Sequence, residues 1–292
     1  MTGATRPGGA GIVDAHHHLW VRARHPQTWI DPVTMAAIDA DFEPADLAPL
    51  ARAAGVTATV VVQSIASDTE TVDLLGVAAE DTLVRGVVGW VDLTAADVAE
   101  HLDHLRAARG GERLVGIRHL VQSETDPAYL DRPDVRRGIA AVGAAGLVFD
   151  LLVRQHQLPM AARLTRDLPE VSFVLDHLGK PALGSPEMAE WSRDLRSLAA
   201  SPNTTAKLSG LVTEVPLAHW TPADLQPAVE DALDAFGPER LMFGSDWPVC
   251  LLASSYQRWV DTLAELLEGR DGADQASVWG GTARRVYGLE PS

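Results

Sequence analysis

The chain is short of cysteine, with Cys250 alone among 292 residues. It therefore forms no internal disulfide, which fits the reducing environment of the cytoplasm. No apolar run reaches the roughly 18 residues that a membrane span needs. The first eleven residues also lack the apolar segment of a signal peptide. We expect a cytoplasmic protein in which residues 1–11 form a flexible N-terminal tail.

Positive charge is scarce as well. The 24 lysines and arginines are outnumbered by 40 aspartates and glutamates, which gives a formal net charge of −16 at pH 7. A chain of this sign repels a phosphate backbone, so nucleic acid is not expected as a partner. We expect no membrane partner either, and a small molecule as the substrate. The sequence leaves a monomer and a homo-oligomer equally open.

A glycine-rich dinucleotide fingerprint is missing after the first apolar run, which disfavours an open nucleotide-binding sheet. The chain instead alternates short apolar runs with longer helical stretches. The predicted strands are Ile12–His16, Thr57–Gln63, Leu83–Val91, Leu114–Arg118, Leu147–Val153, Val171–Asp176, Thr204–Leu208 and Leu241–Gly244. The predicted helices are Pro44–Ala54, Thr69–Glu80, Ala95–Ala108, Pro133–Ala145, His156–Leu168, Pro186–Ala200, Pro222–Phe236, Ser255–Glu268 and Asp274–Val286.

Eight β-then-α units predict an α/β fold, a single (β/α)₈ barrel of the TIM type with a C-terminal helix. No linker or internal repeat divides the chain, so residues 12–292 are predicted to form one domain. The strands are apolar almost throughout, as expected where helices cover a parallel sheet. Such barrels carry their chemistry at the carboxyl ends of the strands, so polar residues at those ends are the candidate site.

The first strand runs directly into histidines, in Gly-Ile-Val-Asp-Ala-His-His-His-Leu-Trp at 11–20. Because side chains alternate along a strand, Asp14, His16 and His18 are predicted to share one face, with His17 on the other. Two imidazoles on one face can converge on a single cation or on a substrate oxygen. The structural alternative is that backbone groups satisfy these histidines.

Two later segments offer partners for this pair of histidines. Leu-Met-Phe-Gly-Ser-Asp-Trp-Pro-Val at 241–249 presents Asp246 at the predicted rim, where a carboxylate can bind a metal or take a proton from water. Val-Leu-Asp-His-Leu-Gly-Lys-Pro at 174–181 turns sharply and keeps His177 at the same rim. A helix N-cap for Asp246 and a core position for His177 are the structural alternatives.

Polar or aromatic residues end the other predicted strands too. Arg118 follows an apolar strand and is expected to bind an anionic or carbonyl oxygen, with a structural ion pair as the alternative. His156 is ambiguous, because it comes two residues after Arg154 and could simply begin a helix. The remaining strand-end residues include Gln63, Trp90, His119 and Lys207.

Taken together, these motifs resemble the amidohydrolase superfamily. More narrowly they are similar to its sugar-lactonase branch, which includes L-fuconolactonase-like, L-rhamnonolactonase-like and 2-pyrone-4,6-dicarboxylate lactonase proteins. The resemblance covers roughly residues 12–288 and follows the family order through 13–20, 116–119, 149–154, 175–181, 207–210 and 243–248. It implies a distorted (β/α)₈ barrel that hydrolyses a cyclic ester.

The resemblance also implies a metal-ligand set. His16 and His18 match the superfamily's strand-one pair, His177 its strand-six histidine and Asp246 its strand-eight aspartate. The strand-four lysine that bridges two metals is absent, so a two-metal site is not expected. Members of this branch work either with one zinc or without metal, and both alternatives stay open.

The expected reaction is the opening of a lactone ring, with a sugar lactone as the favoured substrate. Asp246 is expected to take a proton from water, while the three histidines stabilise the oxyanion through one metal ion or as hydrogen-bond donors. The residues expected to hold the substrate are Gln63, Arg118, His119, Arg154, Lys207, Trp20 and Trp90. A metal-dependent decarboxylase of an aromatic or unsaturated acid is the alternative function. An amidase or phosphotriesterase is disfavoured by the missing lysine, and a non-catalytic barrel by the presence of the motifs.

Overall fold

The computed structural model describes residues 11–289, and within them eight parallel strands form one sheet in sequence order. Each strand pairs with the next along the chain, and helices occupy the connections. The predicted (β/α)₈ barrel is therefore confirmed. Of the predicted N-terminal tail, residues 1–10 lie outside the described part of the chain. The strands are β1 (Ile12–His17), β2 (Val56–Val62), β3 (Val84–Gly89), β4 (Leu114–His119), β5 (Val148–Leu151), β6 (Phe173–Leu175), β7 (Thr204–Leu208) and β8 (Leu241–Phe243).

The helices begin where the sequence provides N-terminal signals. Pro44, Pro133 and Pro222 occupy the first helical position, where the missing N–H costs nothing. Ser67 and Ser255 cap two others by accepting a backbone N–H. The helices are α1 (Pro44–Ala53), α2 (Asp68–Glu80), α3 (Val98–Ala107), α4 (Pro133–Ala144), α5 (Leu158–Asp167), α6 (Met188–Ala199), α7 (Pro222–Phe236), α8 (Tyr256–Leu266), α9 (Gly272–Ala276) and α10 (Thr282–Tyr287). Across residues 11–289, none has the length and apolar character needed to cross a membrane.

The predicted last helix is divided in the structure. A π-helical turn, Ser277–Gly281, separates α9 from α10. Gly280 in this turn lies against β1, since a Cβ added there would be 2.8 Å from the Gly11 carbonyl oxygen. The close approach of the two backbones requires glycine, and the turn accommodates it.

The barrel closes where β1 meets the backbone just beyond β8. His18 N donates to Trp247 O at 2.7 Å, and Asp246 N donates to His16 O at 2.8 Å. Asp14 strengthens this seam: its Oδ1 accepts from Ser245 N at 2.8 Å and its Oδ2 from the Tyr256 hydroxyl at 3.0 Å. The seam fixes the first strand beside the segment that follows the last one.

The prediction that Asp14 shares a face with the two histidines is wrong. The pairing of β1 with β2 is irregular between Asp14 and His17, so the strict alternation of faces breaks there. Asp14 turns toward Tyr256 of α8, on the outside of the barrel, whereas His16 and His18 point inward. His17 faces outward, as expected, and contacts the Thr59 hydroxyl at 3.0 Å.

One end of the barrel interior is filled by apolar side chains. They come from the strands, from α10 and from Leu289 two residues beyond it, so the C-terminal helix covers the amino end of the barrel. The members are Val13, Ala15, Ala58, Val60, Val62, Val88, Val148, Val174, Met242, Ala283, Tyr287 and Leu289. A packed floor of this kind leaves the carboxyl end as the place for chemistry.

Candidate active site

The carboxyl ends of the strands bring the start, middle and end of the chain together. His16 Nε2 lies 3.3 Å from His18 Nε2. Asp246 Oδ1 lies 3.7 Å from the first of these nitrogens and 3.5 Å from the second. His177 Nε2 is 3.9 Å from the same carboxylate oxygen. The four residues therefore form one buried cluster, although up to 230 positions separate them in sequence.

The backbone around this cluster is strained. Among the described residues, the non-glycine positions with positive φ are His177, Leu178, Lys180 and Asp246, at 53°, 51°, 56° and 54°. All four lie in the segments that follow β6 and β8. Such conformations cost free energy and persist where the surrounding structure enforces them, typically at functional sites. The strained backbone lowers the stability of the fold and orients the side chains of His177 and Asp246 toward the barrel interior.

Hydrogen bonds decide which nitrogens of the histidines carry lone pairs. His18 Nδ1 lies 2.7 Å from the Val62 carbonyl, which only accepts, so Nδ1 donates and Nε2 is left as an acceptor. His16 Nε2 lies 3.4 Å from an Arg118 nitrogen, which only donates, and its Nδ1 lies 3.2 Å from an oxygen of ionised Asp176, which only accepts, so this Nε2 is an acceptor too. Two lone pairs at 3.3 Å beside a carboxylate repel one another unless a cation lies between them. This donor set fits a divalent metal ion.

The composition of the cluster points to the same conclusion. His16, His18 and Asp246 offer ligand atoms that all lie within 4.8 Å of one another and could hold a metal ion. His177 belongs to a second such group, with His16 and Asp176. Imidazole nitrogens with a carboxylate oxygen are a donor set typical of catalytic zinc.

Burial sets the protonation of these groups. It lowers the pKa of His177 to about 4, and that of His16 well below its ordinary value, so both imidazoles are neutral at pH 7. Burial alone would raise the pKa of the Asp246 carboxyl, but His177, His18 and His16 outweigh it and the net shift is downward. The Asp246 carboxylate is ionised and the imidazoles of His16 and His177 are neutral, as metal ligands must be.

A layer of charged side chains lies beneath the cluster, inside the barrel. Lys207 Nζ contacts Asp150 Oδ2 at 2.5 Å, Asp176 Oδ1 at 2.9 Å and His16 Nδ1 at 3.1 Å. Arg118 contacts the other oxygen of Asp176 at 3.0 Å. These groups are buried, and the two cations balance the two carboxylates. Pairing of this kind compensates for much of the desolvation of the charges.

A cavity of about 360 Å³ opens above the cluster. His18, His177 and Asp246 form part of its wall, together with Arg118. The lining includes apolar side chains such as Ile65, Leu120 and Leu152, which suit the carbon skeleton of a small organic ligand. The full lining is His18, Thr28, Trp29, Ser64, Ile65, Ala66, Arg118, Leu120, Gln122, Ser123, Leu152, His177, Lys180, Thr213, Asp246 and Val249.

Of the residues predicted to hold the substrate, Arg118 lies in this lining. The other six lie outside the lining that the described residues form: Gln63, His119, Arg154, Lys207, Trp20 and Trp90. Gln63 is fully buried and donates to the Arg118 carbonyl at 3.1 Å. Trp20 is also buried, and its Nε1 donates to the Ala40 carbonyl at 2.8 Å.

His119 and Trp90 form a separate group beside the cavity. Trp90 Nε1 donates to His119 Nδ1 at 3.2 Å, His119 Nε2 contacts Glu124 at 2.6 Å, and the His119 ring stacks on Tyr129. Every polar atom of the His119 ring is therefore engaged. Arg154 and His156 are exposed and line a second cavity of about 330 Å³, which shares Lys180 with the first.

Several lining residues were not among the predicted site residues. Trp29, Ser64, Gln122, Lys180 and Thr213 all come from loops that follow strands. The barrel prediction indicates that such loops surround the mouth, but a single sequence gives no rule for which loop side chains turn inward. The Lys-Pro pair at 180–181 was visible in its motif, and its position in the cavity wall depends on the left-handed backbone of Lys180.

An eight-stranded barrel with an inward His-x-His pair at the end of its first strand, and an aspartate after its eighth, defines an amidohydrolase-type barrel. Residues 13–289 match the family model described as Amidohydrolase, and the chain belongs to this family. It is 40% identical over 296 residues to the L-fucono-1,5-lactonase of Burkholderia multivorans, covering 97% of this chain and 98% of that relative.

Two further proteins are similar to this chain. A crystal structure of an amidohydrolase from Burkholderia multivorans with bound zinc is 39% identical, with a TM-score of 0.89 over 96% of this chain and 99% of that one. The L-rhamnono-gamma-lactonase of Scheffersomyces stipitis is 25% identical over 71% of this chain and 70% of that relative.

Proposed function

We propose that this protein is a lactonase that opens the ring of a sugar lactone, with L-fucono-1,5-lactone as the first substrate to test. The observation that carries the proposal is the convergence of Asp246 with His16, His18 and His177 at the floor of a cavity of small-molecule size. The names of the two similar lactonases support the same substrate class.

In the proposed mechanism Asp246 acts as general base. Its Oδ1 faces the histidine nitrogens, which leaves Oδ2 to take a proton from a water molecule. The water oxygen attacks the lactone carbonyl carbon, the ring C–O bond breaks, and the ring oxygen takes the proton back from Asp246. The new carboxylic acid then loses a proton to solvent, so each turnover yields one aldonate and one proton.

The other side chains bind and orient. Arg118, held by Asp176 and by the Gln63 carbonyl oxygen, places a fixed positive charge at the cavity floor, where negative charge develops on the carbonyl oxygen. Lys180 faces the same cavity and offers a donor to substrate hydroxyls. We propose that Gln63, His119, Arg154, Lys207, Trp20 and Trp90 support the site without touching the substrate.

The ligand set proposed for one divalent ion, with zinc as its identity, is His16, His18 and Asp246, with His177 as the fourth ligand. Such an ion supplies Lewis-acid polarisation of the carbonyl when it is bound.

The test is a pH-indicator screen of five- and six-membered aldonolactones, run with and without a chelator and corrected for spontaneous hydrolysis. We expect turnover of at least one sugar lactone. Asp246→Asn should lower kcat by about 10²–10⁴-fold, because the general base is lost. Asn tolerates the left-handed backbone of this position, so the melting temperature should not fall.

Asp92→Asn is the matched control, since this exposed carboxylate follows β3 and lies outside the cavity lining. It should keep wild-type activity. Release of CO₂ from an aromatic acid, with no lactone hydrolysed, would replace the lactonase proposal by the decarboxylase alternative.

A further inference from the structure

The side chain of Tyr287 reaches from the C-terminal helix α10 into the charged layer beneath the active site. Its hydroxyl contacts Asp150 Oδ1 at 3.0 Å and Oδ2 at 2.9 Å. Burial raises the pKa of this hydroxyl well above its ordinary value, so it stays protonated and donates to the carboxylate. The residue is buried and lies far along the chain from every proposed catalytic group except Asp246.

Asp150 connects this tyrosine to Lys207. Within residues 11–289, Asp150 Oδ2 accepts from both the Tyr287 hydroxyl and Lys207 Nζ, whereas Oδ1 accepts from the Tyr287 hydroxyl alone. The ring of Tyr287 also lies 5.5 Å from Lys207 Nζ, at a cation–π distance. Tyr287 therefore bears on Lys207 in two ways, through the shared carboxylate and through its ring.

Lys207 in turn bears on the proposed metal ligands. Its Nζ lies 2.9 Å from Asp176 Oδ1 and 3.1 Å from His16 Nδ1, and Asp176 Oδ1 lies 3.2 Å from that same His16 nitrogen. The orientation of the His16 ring is thus set from behind by this pair. Groups behind a ligating histidine fix its tautomer and its ring orientation.

We propose that Tyr287 is a positioning residue for the metal-ligand cluster, acting through Asp150 and Lys207 on His16. This inference rests on the proposed function, since it assigns the tyrosine to the same site. Without the hydroxyl, Asp150 Oδ1 loses its donor in a buried environment, and Lys207 is the cation within reach to replace it. Lys207 then shifts toward Asp150 and away from Asp176 and His16.

Tyr287→Phe tests this directly, because phenylalanine keeps the packed ring and removes only the hydroxyl. Thr282→Val is the matched control: Thr282 is buried on the same helix, and its hydroxyl donates to the Glu239 carbonyl at 3.0 Å, away from the charged layer. Each variant removes one hydroxyl of α10 that donates a hydrogen bond. Only the first is connected to His16.

The first readout is the zinc dissociation constant, measured by chelator competition. We expect Tyr287→Phe to bind zinc on the order of tenfold more weakly, as for other groups behind metal ligands, and Thr282→Val to stay within about twofold of wild type. In lactone turnover, kcat should fall by a similar factor in Tyr287→Phe, with KM unchanged. Unchanged zinc affinity in Tyr287→Phe, or equal weakening in both variants, overturns the inference.

The second readout is a crystal structure of each variant, which requires neither zinc binding nor activity. We expect a longer Lys207–Asp176 separation and a rotated His16 ring in Tyr287→Phe, and neither change in Thr282→Val. Unchanged Lys207 and His16 positions in Tyr287→Phe overturn the inference. A wild-type protein that hydrolyses no lactone would defeat the proposed function alone, because these structures would still decide the role of Tyr287.

Discussion

At the amino end of the barrel interior, side chains such as Val60, Val174 and Met242 pack against α10 and hold no charge. At the carboxyl end, the same ring of strands carries three histidines, two cations and three carboxylates. The strained non-glycine positions of the described chain lie at this second end. The two ends of the barrel therefore differ in what they contribute. Close packing at the amino end stabilises the fold, and this stability offsets the backbone strain and buried charge at the carboxyl end.

The largest effect on stability is expected from Met242→Ala at the apolar end. Met242 is fully buried, so truncation removes buried surface and leaves a cavity, which should lower the free energy of unfolding by about 2–5 kcal/mol. Activity per folded molecule should not change. Urea unfolding and lactone turnover measure the two quantities.

Met242→Leu is the control, because it conserves volume and should cost less than about 1.5 kcal/mol. Loss of turnover in fully folded Met242→Ala would contradict the view that the apolar end affects stability but not activity.

The next effect concerns the seam between the first and last strands. Burial raises the pKa of Asp14 from 3.8 to about 6, in spite of hydrogen bonds from Ser245, His16 and Tyr256. Because the pKa is higher in the folded state, the protonated form of Asp14 favours folding over its ionised form. This stabilisation of the folded state is fully present below pH 3.8 and is lost as pH rises through 6.

Asp14→Asn removes this ionisation and keeps an oxygen acceptor for the backbone N–H groups. Between about pH 4 and pH 7, wild type should therefore lose up to about 3 kcal/mol of unfolding free energy relative to the variant. Denaturant unfolding across this pH range measures the difference. Parallel pH profiles for the two proteins would show that Asp14 does not titrate in this window.

The smallest effect is expected from Gly210→Ala, which tests whether the position of His177 at the polar end matters for activity. Gly210 has φ 66°, and an added Cβ would lie 2.4 Å from His177 Nδ1. The His177 ring must move, so we expect kcat to fall on the order of tenfold, for about 1.4 kcal/mol of transition-state stabilisation. Steady-state kinetics measure this loss.

Gly146→Ala is the matched control, since Gly146 has a similar φ of 70° and no atom within 4 Å of an added Cβ. Both variants share the left-handed strain of roughly 1–2 kcal/mol, which unfolding measurements report. Equal activity in the two variants would show that the position of the His177 ring does not affect catalysis.

Much of the architecture could be predicted from the sequence. Apolar runs and helix signals such as Pro133 and Pro222 indicated the eight β-then-α units, because these signals are local. The division of the last helix could not be predicted, since it arises from the contact of Gly280 with the start of the chain. The prediction that the Asp14 side chain points inward with His16 and His18 was wrong, because the irregular pairing of β1 with β2 interrupts the alternation of side chains between the two faces of the strand.

The proposed site was predictable to a similar depth. His16, His18, His177 and Asp246 were selected because they lie at or just beyond the carboxyl ends of strands, and these ends meet in a barrel. Their roles as ligands and base stay predictions. Lys207 also lies near the end of its strand, yet its side chain contacts Asp150 and the inner nitrogen of His16, beneath the cluster. The sequence pattern does not show how deep in the barrel a side chain lies.

The sequence by itself determined the barrel, the family and the residue types available for chemistry, because local patterns and motif order carry that information. The tertiary structure alone decided which nitrogens face one another and which charges lie beneath His16. It also decided that Tyr287 of the last helix bears on His16 of the first strand. Those relations depend on distances between segments far apart in the chain, and only packing fixes such distances.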